Sequence, residues 1–199
     1  MNDIRPTYQN RIATAISLLF HPAVVGVPTL LAILNEMSFT EILGWTVLIL
    51  GILLIPNVIL QLILQRRGRF IYQRDTRKPL YIVGWLSVLI CLVILIFLNA
   101  PRVLVACLIA LLVWIPAQLI INQVLTKISI HTAVISGCLT GLLVLGKLDT
   151  PFLKVLAVII LISTAWARME TKNHTLPQVA LGALVGSLPV LIVFPLVLS

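Results

Sequence analysis

Charge is missing from long stretches of this chain. Residues 42–65, 79–101, 103–126 and 173–199 contain no Asp, Glu, Lys or Arg. A helix needs about 20 apolar residues to cross the hydrocarbon core of a bilayer. Within that core every backbone amide must be satisfied internally, so runs of this length restrict the chain to spanning helices. The remaining composition leaves little room for a soluble domain. The 199 residues are 60% hydrophobic and 10% charged, whereas charged residues make up about a quarter of an average soluble domain. The expected fold is therefore all-α: one integral membrane domain, 1–199, a polytopic bundle of six or seven transmembrane helices.

Apolar runs place helices at about 12–35, 42–65, 80–98, 102–124, 129–146, 152–168 and 176–198. Asn99-Ala100-Pro101 leaves room only for a tight turn between antiparallel neighbours. Pro22, Pro28, Pro56, Pro116, Pro189 and Pro195 fall inside runs, where neighbouring groups can re-satisfy the freed carbonyls. His21-Pro22 is the point at which the first run is expected to break, if any run does. That run is long for a signal core, and no small-x-small cleavage site follows it. Cys91, Cys107 and Cys138 lie within apolar runs without ligand-like spacing and read as small buried hydrophobes.

With seven spans, the loops at 66–79, 125–128 and 169–175 share one face with the N-terminus. That face holds most of the cations, and the other holds only Arg102, Lys147 and Lys154. Setting aside the cations that could bind substrate leaves six against three, which still places the first face in the cytoplasm by the positive-inside rule. The net charge of +8 suits a surface against anionic lipid heads. No nucleic-acid partner is expected.

Three polar clusters interrupt the apolar chain, each two spans from the next, so helix pairs return all three to the same face. They are Arg74-Asp75-Thr76-Arg77-Lys78-Pro79, Lys127-Ile128-Ser129-Ile130-His131, and Arg168 through His174 to Gln178. A phosphate ester needs cations and N–H donors to hold it, a nucleophile in line, and a proton donor for the leaving oxygen. Lys127 and Arg168 supply charge, and Arg can bind two oxygens at once. Ser129, where the fifth helix starts, offers a hydroxyl beside free N–H groups, an anion site. One histidine can attack phosphorus while the other protonates the departing alkoxide.

In these residues the chain resembles the type 2 phosphatidate phosphatase superfamily, which includes bacterial acid phosphatases and vanadium haloperoxidases. Its motifs are Lys-x6-Arg-Pro, Pro-Ser-Gly-His and Ser-Arg-x5-His-x3-Asp. The third is matched by Arg168, His174 and, in place of the aspartate, Gln178. The second is matched by Ser129-Ile130-His131, and the first loosely by residues 74–79. The likeness covers about residues 66–185. It implies that His174 is the nucleophile that forms a phosphohistidine and His131 the acid. It implies a phosphate cradle of Arg168, Ser129, Arg74, Arg77 and Lys78, with no metal or organic cofactor. Lys127 has no fixed counterpart there but stands just before the anion site.

The departures have physical content. Ala167 removes a motif hydroxyl, and Ile128 and Ile130 replace proline and glycine without removing an N–H. Lys78 stands where an arginine is expected, and no cation stands seven residues before it. Gln178 can accept a histidine N–H but cannot stabilise imidazolium as a carboxylate would. Thr175-Leu176-Pro177-Gln178 is also a capping box, so Gln178 serves a cap, the histidine, or both. Lys172 reads as a topology signal. His21, near the same face, either satisfies a kink or belongs to the site. Asn57 with Gln61, and Gln118 with Asn122, read as interhelical amides or as the lining of a polar vestibule below the phosphate site.

Small residues recur every fourth position at Ala133, Gly137 and Gly141 and again at Gln178, Gly182 and Gly186. Such stripes let two backbones approach closely. If they face each other or a shared neighbour, they draw His131 and His174 together.

The expected function is that of a membrane-embedded phosphatase acting on an amphiphilic phosphate, such as a phosphatidic acid or an isoprenoid phosphate or diphosphate. The expected setting is a prokaryotic plasma membrane with the site on the cytoplasmic face. The alternatives are a catalytically weakened relative that binds or moves lipid phosphates, and a transferase passing phosphate between lipids.

Overall fold

A computed structural model describes residues 8–68 and 74–199, with the side chains of 74–77 outside the described part. The described residues form eight helices and no strand. They are α1 (Tyr8–Leu19), α2 (Pro22–Ile33), α3 (Phe39–Arg66), α4 (Arg74–Phe97), α5 (Arg102–Val124), α6 (Ile130–Val144), α7 (Pro151–Glu170) and α8 (Leu176–Leu198).

Five of these, α3, α4, α5, α7 and α8, are long and apolar enough to cross a membrane; α1 and α2 make a sixth span if taken together. The chain is an integral membrane protein. Its outer surface is apolar, as a lipid-facing surface must be. Ile55, Val58, Ile59 and Leu62 of α3 and Val155, Val158, Ile159 and Ile162 of α7 are all exposed.

The structure differs from the sequence expectation at two helices. The run at 12–35 is not one helix. It breaks at His21, which is extended (φ −66°, ψ 137°), and the two halves meet at 46°. A residue before proline is pushed out of the α region, yet the helices continue through Pro28, Pro56, Pro116, Pro189 and Pro195. What distinguishes His21 is its side chain: Nδ1 accepts the Ala23 N–H at 3.2 Å and caps α2. The run at 129–146 is a helix to within two residues at each end, but, capped at both ends, it is too short to be a span. Ser129 is the N-cap, Leu145 the C-cap, and Gly146 turns the chain at φ 70°. The 15 residues of α6 extend about 22 Å at 1.5 Å per residue, short of the roughly 30 Å core.

Local signals set the other ends. Ser38 and Glu41 form a reciprocal capping box at the start of α3. Thr150 Oγ1 accepts the Leu153 N–H to start α7, with Pro151 in its first turn. Asn99 takes a left-handed φ of 51°, which lets Ala100 N–H close on the Leu95 carbonyl at 2.9 Å before Pro101 opens α5.

The main core forms where α2, α3, α4 and α5 meet, from Ile33, Ile49, Val88, Cys91, Leu95, Leu104 and Leu108. The spacing 88, 91, 95 on α4 and 104, 108 on α5 is one helix face each. A second apolar cluster joins Ala106 and Ala110 of α5 to Val190, Val193 and Phe194 of α8.

The closest helix pair is α6 with α8, which run parallel. A Cβ on Gly182 would lie 2.6 Å from Thr132 Oγ1 and 2.7 Å from the Ser129 carbonyl. One on Gly186 would overlap the Ala133 carbonyl, and one on Gly137 would press on Gly186 at 3.0 Å. The two small-residue stripes therefore face each other. Across the same seam Ser136 Oγ donates to the Ala183 carbonyl at 2.7 Å. This contact fixes the start of α6 against the start of α8, the two places where the polar clusters sit.

Candidate functional site

The third cluster is shaped by how α7 ends. Thr171 caps the helix, and Lys172 then takes a left-handed φ of 55°. The chain folds back so that the Arg168 carbonyl accepts N–H bonds from both Asn173 (3.2 Å) and His174 (3.1 Å). Six residues of sequence separation thus become one turn of contact, which places His174 over the end of the helix that carries Arg168. Two residues later α8 begins.

The second cluster is built from the other side. Asn122, buried near the end of α5, accepts the Ile128 N–H at 2.9 Å and donates to the Tyr81 hydroxyl at 2.9 Å. It pins the 125–129 loop to both α5 and α4. Ser129 then caps α6, its fully buried Oγ accepting the Thr132 N–H at 3.3 Å. Its own N–H donates to the Gln178 carbonyl at 3.3 Å, so the two clusters are bonded to each other through the main chain. Ser129 is thus committed to the helix start, and the amides next along, of Ile130 and His131, lie in the first turn of α6.

These constraints bring Lys127, His131, Arg168 and His174 into one site. His131 lies within electrostatic range of Arg168 and His174, and His174 within range of Lys127 and Arg168. Lys127 Nζ reaches the Asn173 carbonyl at 3.4 Å. Arg168 is half-buried, and its Nε has no hydrogen-bond partner. His174 titrates low. Burial first, then the charges of Lys127 and Arg168, hold its pKa down at about 4 from an ordinary 6.5. The ring is therefore neutral at pH 7, the state in which an imidazole is a nucleophile.

A further histidine joins them. The His21 ring stands edge-on to the His131 ring, centroids 5.2 Å apart and planes at 87°. The only sequence signal was a histidine before a proline inside an apolar run, which reads equally as a kink. With Nδ1 occupied by the cap, a neutral His21 carries its proton on Nε2. Among the described residues no three His, Cys, Asp or Glu side chains are arranged to hold a metal ion.

Gln178 performs the capping role of the sequence reading. Its Oε1 accepts the Thr175 N–H at 3.2 Å, and its Nε2 donates to Thr126 Oγ1 at 3.1 Å. It also lies close enough to the His174 ring to favour the charged imidazole, but both its polar atoms have these other partners. His174 Nδ1, buried, has no hydrogen-bond partner. Thr126 carried no sequence signal, since a lone threonine in a loop has none.

Arg74 and Arg77 are on the first turn of α4, and their side chains lie outside the described residues. Lys78 is exposed, and among the described contacts none links it to the histidines. One turn on from Lys78, the Tyr81 hydroxyl accepts from Asn122, which also holds the Ile128 amide. Of the intramembrane amides, Asn57 donates to the Leu53 carbonyl at 2.9 Å and packs against Gly84 of α4. Gln118 is fully buried, and neither of its amide atoms has a hydrogen-bond partner.

The chain matches no protein-family model, no curated protein and no solved structure.

Proposed function

We propose that this protein is a membrane phosphatase that removes phosphate from an amphiphilic lipid, a phosphatidic acid or an isoprenoid phosphate or diphosphate, through a phosphohistidine. The observation that carries the reading is the convergence of His131, His174, Lys127 and Arg168 from three separate elements onto one end of the bundle. The resemblance of residues 129–131 and 168–174 to the phosphatidate phosphatase motifs points the same way.

In this reading Lys127, Arg168 and the first amides of α6 hold the phosphate oxygens. A His174 ring nitrogen attacks phosphorus and the bond to the lipid oxygen breaks. His131, in its protonated form, gives that oxygen its proton, and the lipid leaves as an alcohol, or as a monophosphate when the substrate is a diphosphate. Water, deprotonated by His131, then attacks the phosphohistidine and releases inorganic phosphate, restoring both rings. The apolar exposed faces of the bundle suit an amphiphilic substrate that reaches the site from the bilayer. The proposed setting is a prokaryotic plasma membrane, with the site on the cytoplasmic, cation-rich face.

A second reading is favoured by one observation. His174 Nδ1 has no orienting acceptor, and Gln178 is engaged elsewhere. A chain that binds or moves lipid phosphates without hydrolysing them would tolerate this. Purified protein in detergent, with a chelator present, separates the two. The phosphatase reading expects inorganic phosphate release from phosphatidate or a prenyl phosphate, lost in His174→Ala. Saturable binding of the same lipids with no release supports the binder.

A further inference from the structure

A partly open cavity of about 280 Å³ lies between α2, α3, α5, α6 and α8. Its walls are almost wholly apolar. Its position relative to the histidines follows from helix geometry. On α2, Pro22, Gly26, Thr29 and Ile33 line it, the stripe that begins directly after His21. On α6, Val134, Cys138 and Gly141 line it, at three, seven and ten residues from His131 and so on the same face. The helix faces that carry the two histidines thus continue downward as the walls of the cavity. Leu104 and Phe194 line it towards the other end.

From Trp114 to Leu104, both on its wall, the cavity is about 15 Å deep at 1.5 Å per residue. Its volume over that depth gives a mean cross-section on the order of 20 Å², that of one extended hydrocarbon chain and several-fold less than a helix 10–12 Å wide. A methylene group fills about as much space as a water molecule, roughly 30 Å³, so the cavity takes on the order of nine or ten carbons.

We propose that this cavity holds one hydrocarbon chain of the lipid phosphate whose head group reacts at the histidines. It rests on the proposed function for the identity of that head group. The cavity makes the protein a reader of chain length. A tail leaving the bilayer for the cavity exchanges one apolar surroundings for another, so little affinity comes from burial. What the walls contribute is position, because a chain that fits holds its phosphate at His174. A chain much longer than the cavity must leave its end in lipid.

Gly26 offers a clean way to test this. A Cβ there meets nothing within 4 Å, unlike one on Gly137, Gly182 or Gly186, so Gly26→Leu fills the cavity without prising helices apart. Trp114 on the wall supplies a readout that does not depend on turnover. The experiment uses the full chain in nanodiscs with Trp45→Phe, Trp85→Phe and Trp166→Phe, and alkyl phosphates brominated at mid-chain. Brominated phosphatidylcholine at equal mole fraction is the control.

The expected result is that the alkyl phosphate quenches Trp114 more strongly than the control, and that Gly26→Leu removes the difference. For turnover, Gly26→Leu lowers kcat/KM for dodecyl phosphate by on the order of tenfold relative to that for hexyl phosphate. Equal quenching by the two lipids means that Trp114 only meets bulk lipid, and overturns the proposal. So does turnover with unchanged chain preference in Gly26→Leu. Preferential quenching that survives in His174→Ala, with no phosphate release by either protein, retains the tail site and sinks the phosphatase reading instead.

Discussion

At the scale of single residues, His174 carries the most testable consequence. Its folded pKa of about 4 lies below the ordinary 6.5. The unfolded chain therefore takes up a proton between these values while the folded chain does not. Stability contributed by the neutral ring is complete above pH 6.5 and falls as the pH drops towards 4. Thermal unfolding in detergent across that window should show the loss in wild type and a smaller one in His174→Gln. Gln178→Glu keeps an acceptor for the Thr175 N–H and sets a carboxylate beside His174, so the acid limb of kcat/KM should move to higher pH. An unmoved limb would mean that residue 178 does not face the ring. Gln178→Ala should lower stability by about 1 kcal/mol through the lost cap, and Thr126→Val tests the other half of that clasp alone. His21 divides in the same manner. His21→Asn keeps a capping acceptor and removes the ring against His131, so turnover should fall with little change in melting temperature. His21→Phe keeps an aromatic edge and loses the cap, which should cost about 1 kcal/mol of stability.

At the scale of elements, the account depends on the α6–α8 seam and on the turn after α7. Gly182→Ala places a methyl against Thr132 and the Ser129 carbonyl, and overpacking of this kind costs about 1–3 kcal/mol. Gly186→Ala should cost more, since its Cβ would overlap main chain. Gly44→Ala, where the added methyl meets nothing, should be neutral or stabilise α3 by up to about 1 kcal/mol. The ordering of melting temperatures checks all three. Lys172→Gly should stabilise the turn, because a left-handed backbone costs a side-chain-bearing residue about 1–2 kcal/mol. It should leave turnover intact, whereas a loss of activity would make Lys172 a ligand. The seam was legible in sequence because small residues at four-residue intervals have a direct packing meaning. The pairing of Arg168 with His174 came from the resemblance of their spacing to a family motif, while the turn at Lys172 that joins them is seen only in the structure. The break at His21 was flagged by the proline that follows it, but the cap that His21 supplies and the caps that bound α6 were not legible, because a hydropathy run counts a cap as helix. Asn122 was read as an interhelical amide, and it does bond Tyr81 of α4. Its hold on the Ile128 amide depends on loop geometry that spacing does not encode.

At the scale of the whole molecule, the fold separates two environments along one axis. One end of α2, α6 and α8 gathers histidines and cations. The other is tied by Lys147, which bonds both Asn35 (2.8 Å) and Glu36 (2.5 Å) across the bundle. That pair is exposed on the Glu36 side, so it orders two loops more than it stabilises the fold. A cysteine at position 172 tests the orientation of this axis, since labelling from the cytoplasmic side alone is the expected result. The central claim is chemical, that His174 takes the phosphate and His131 gives the proton. Mapping the phosphoenzyme tests it most directly. His131→Ala should accumulate covalent phosphate from a substrate whose leaving group needs no proton, such as a nitrophenyl phosphate. That phosphate should be labile in acid, stable in alkali, and found by peptide mapping on His174. Phosphate mapped to any other residue, or full turnover in a folded His174→Ala, would contradict the account.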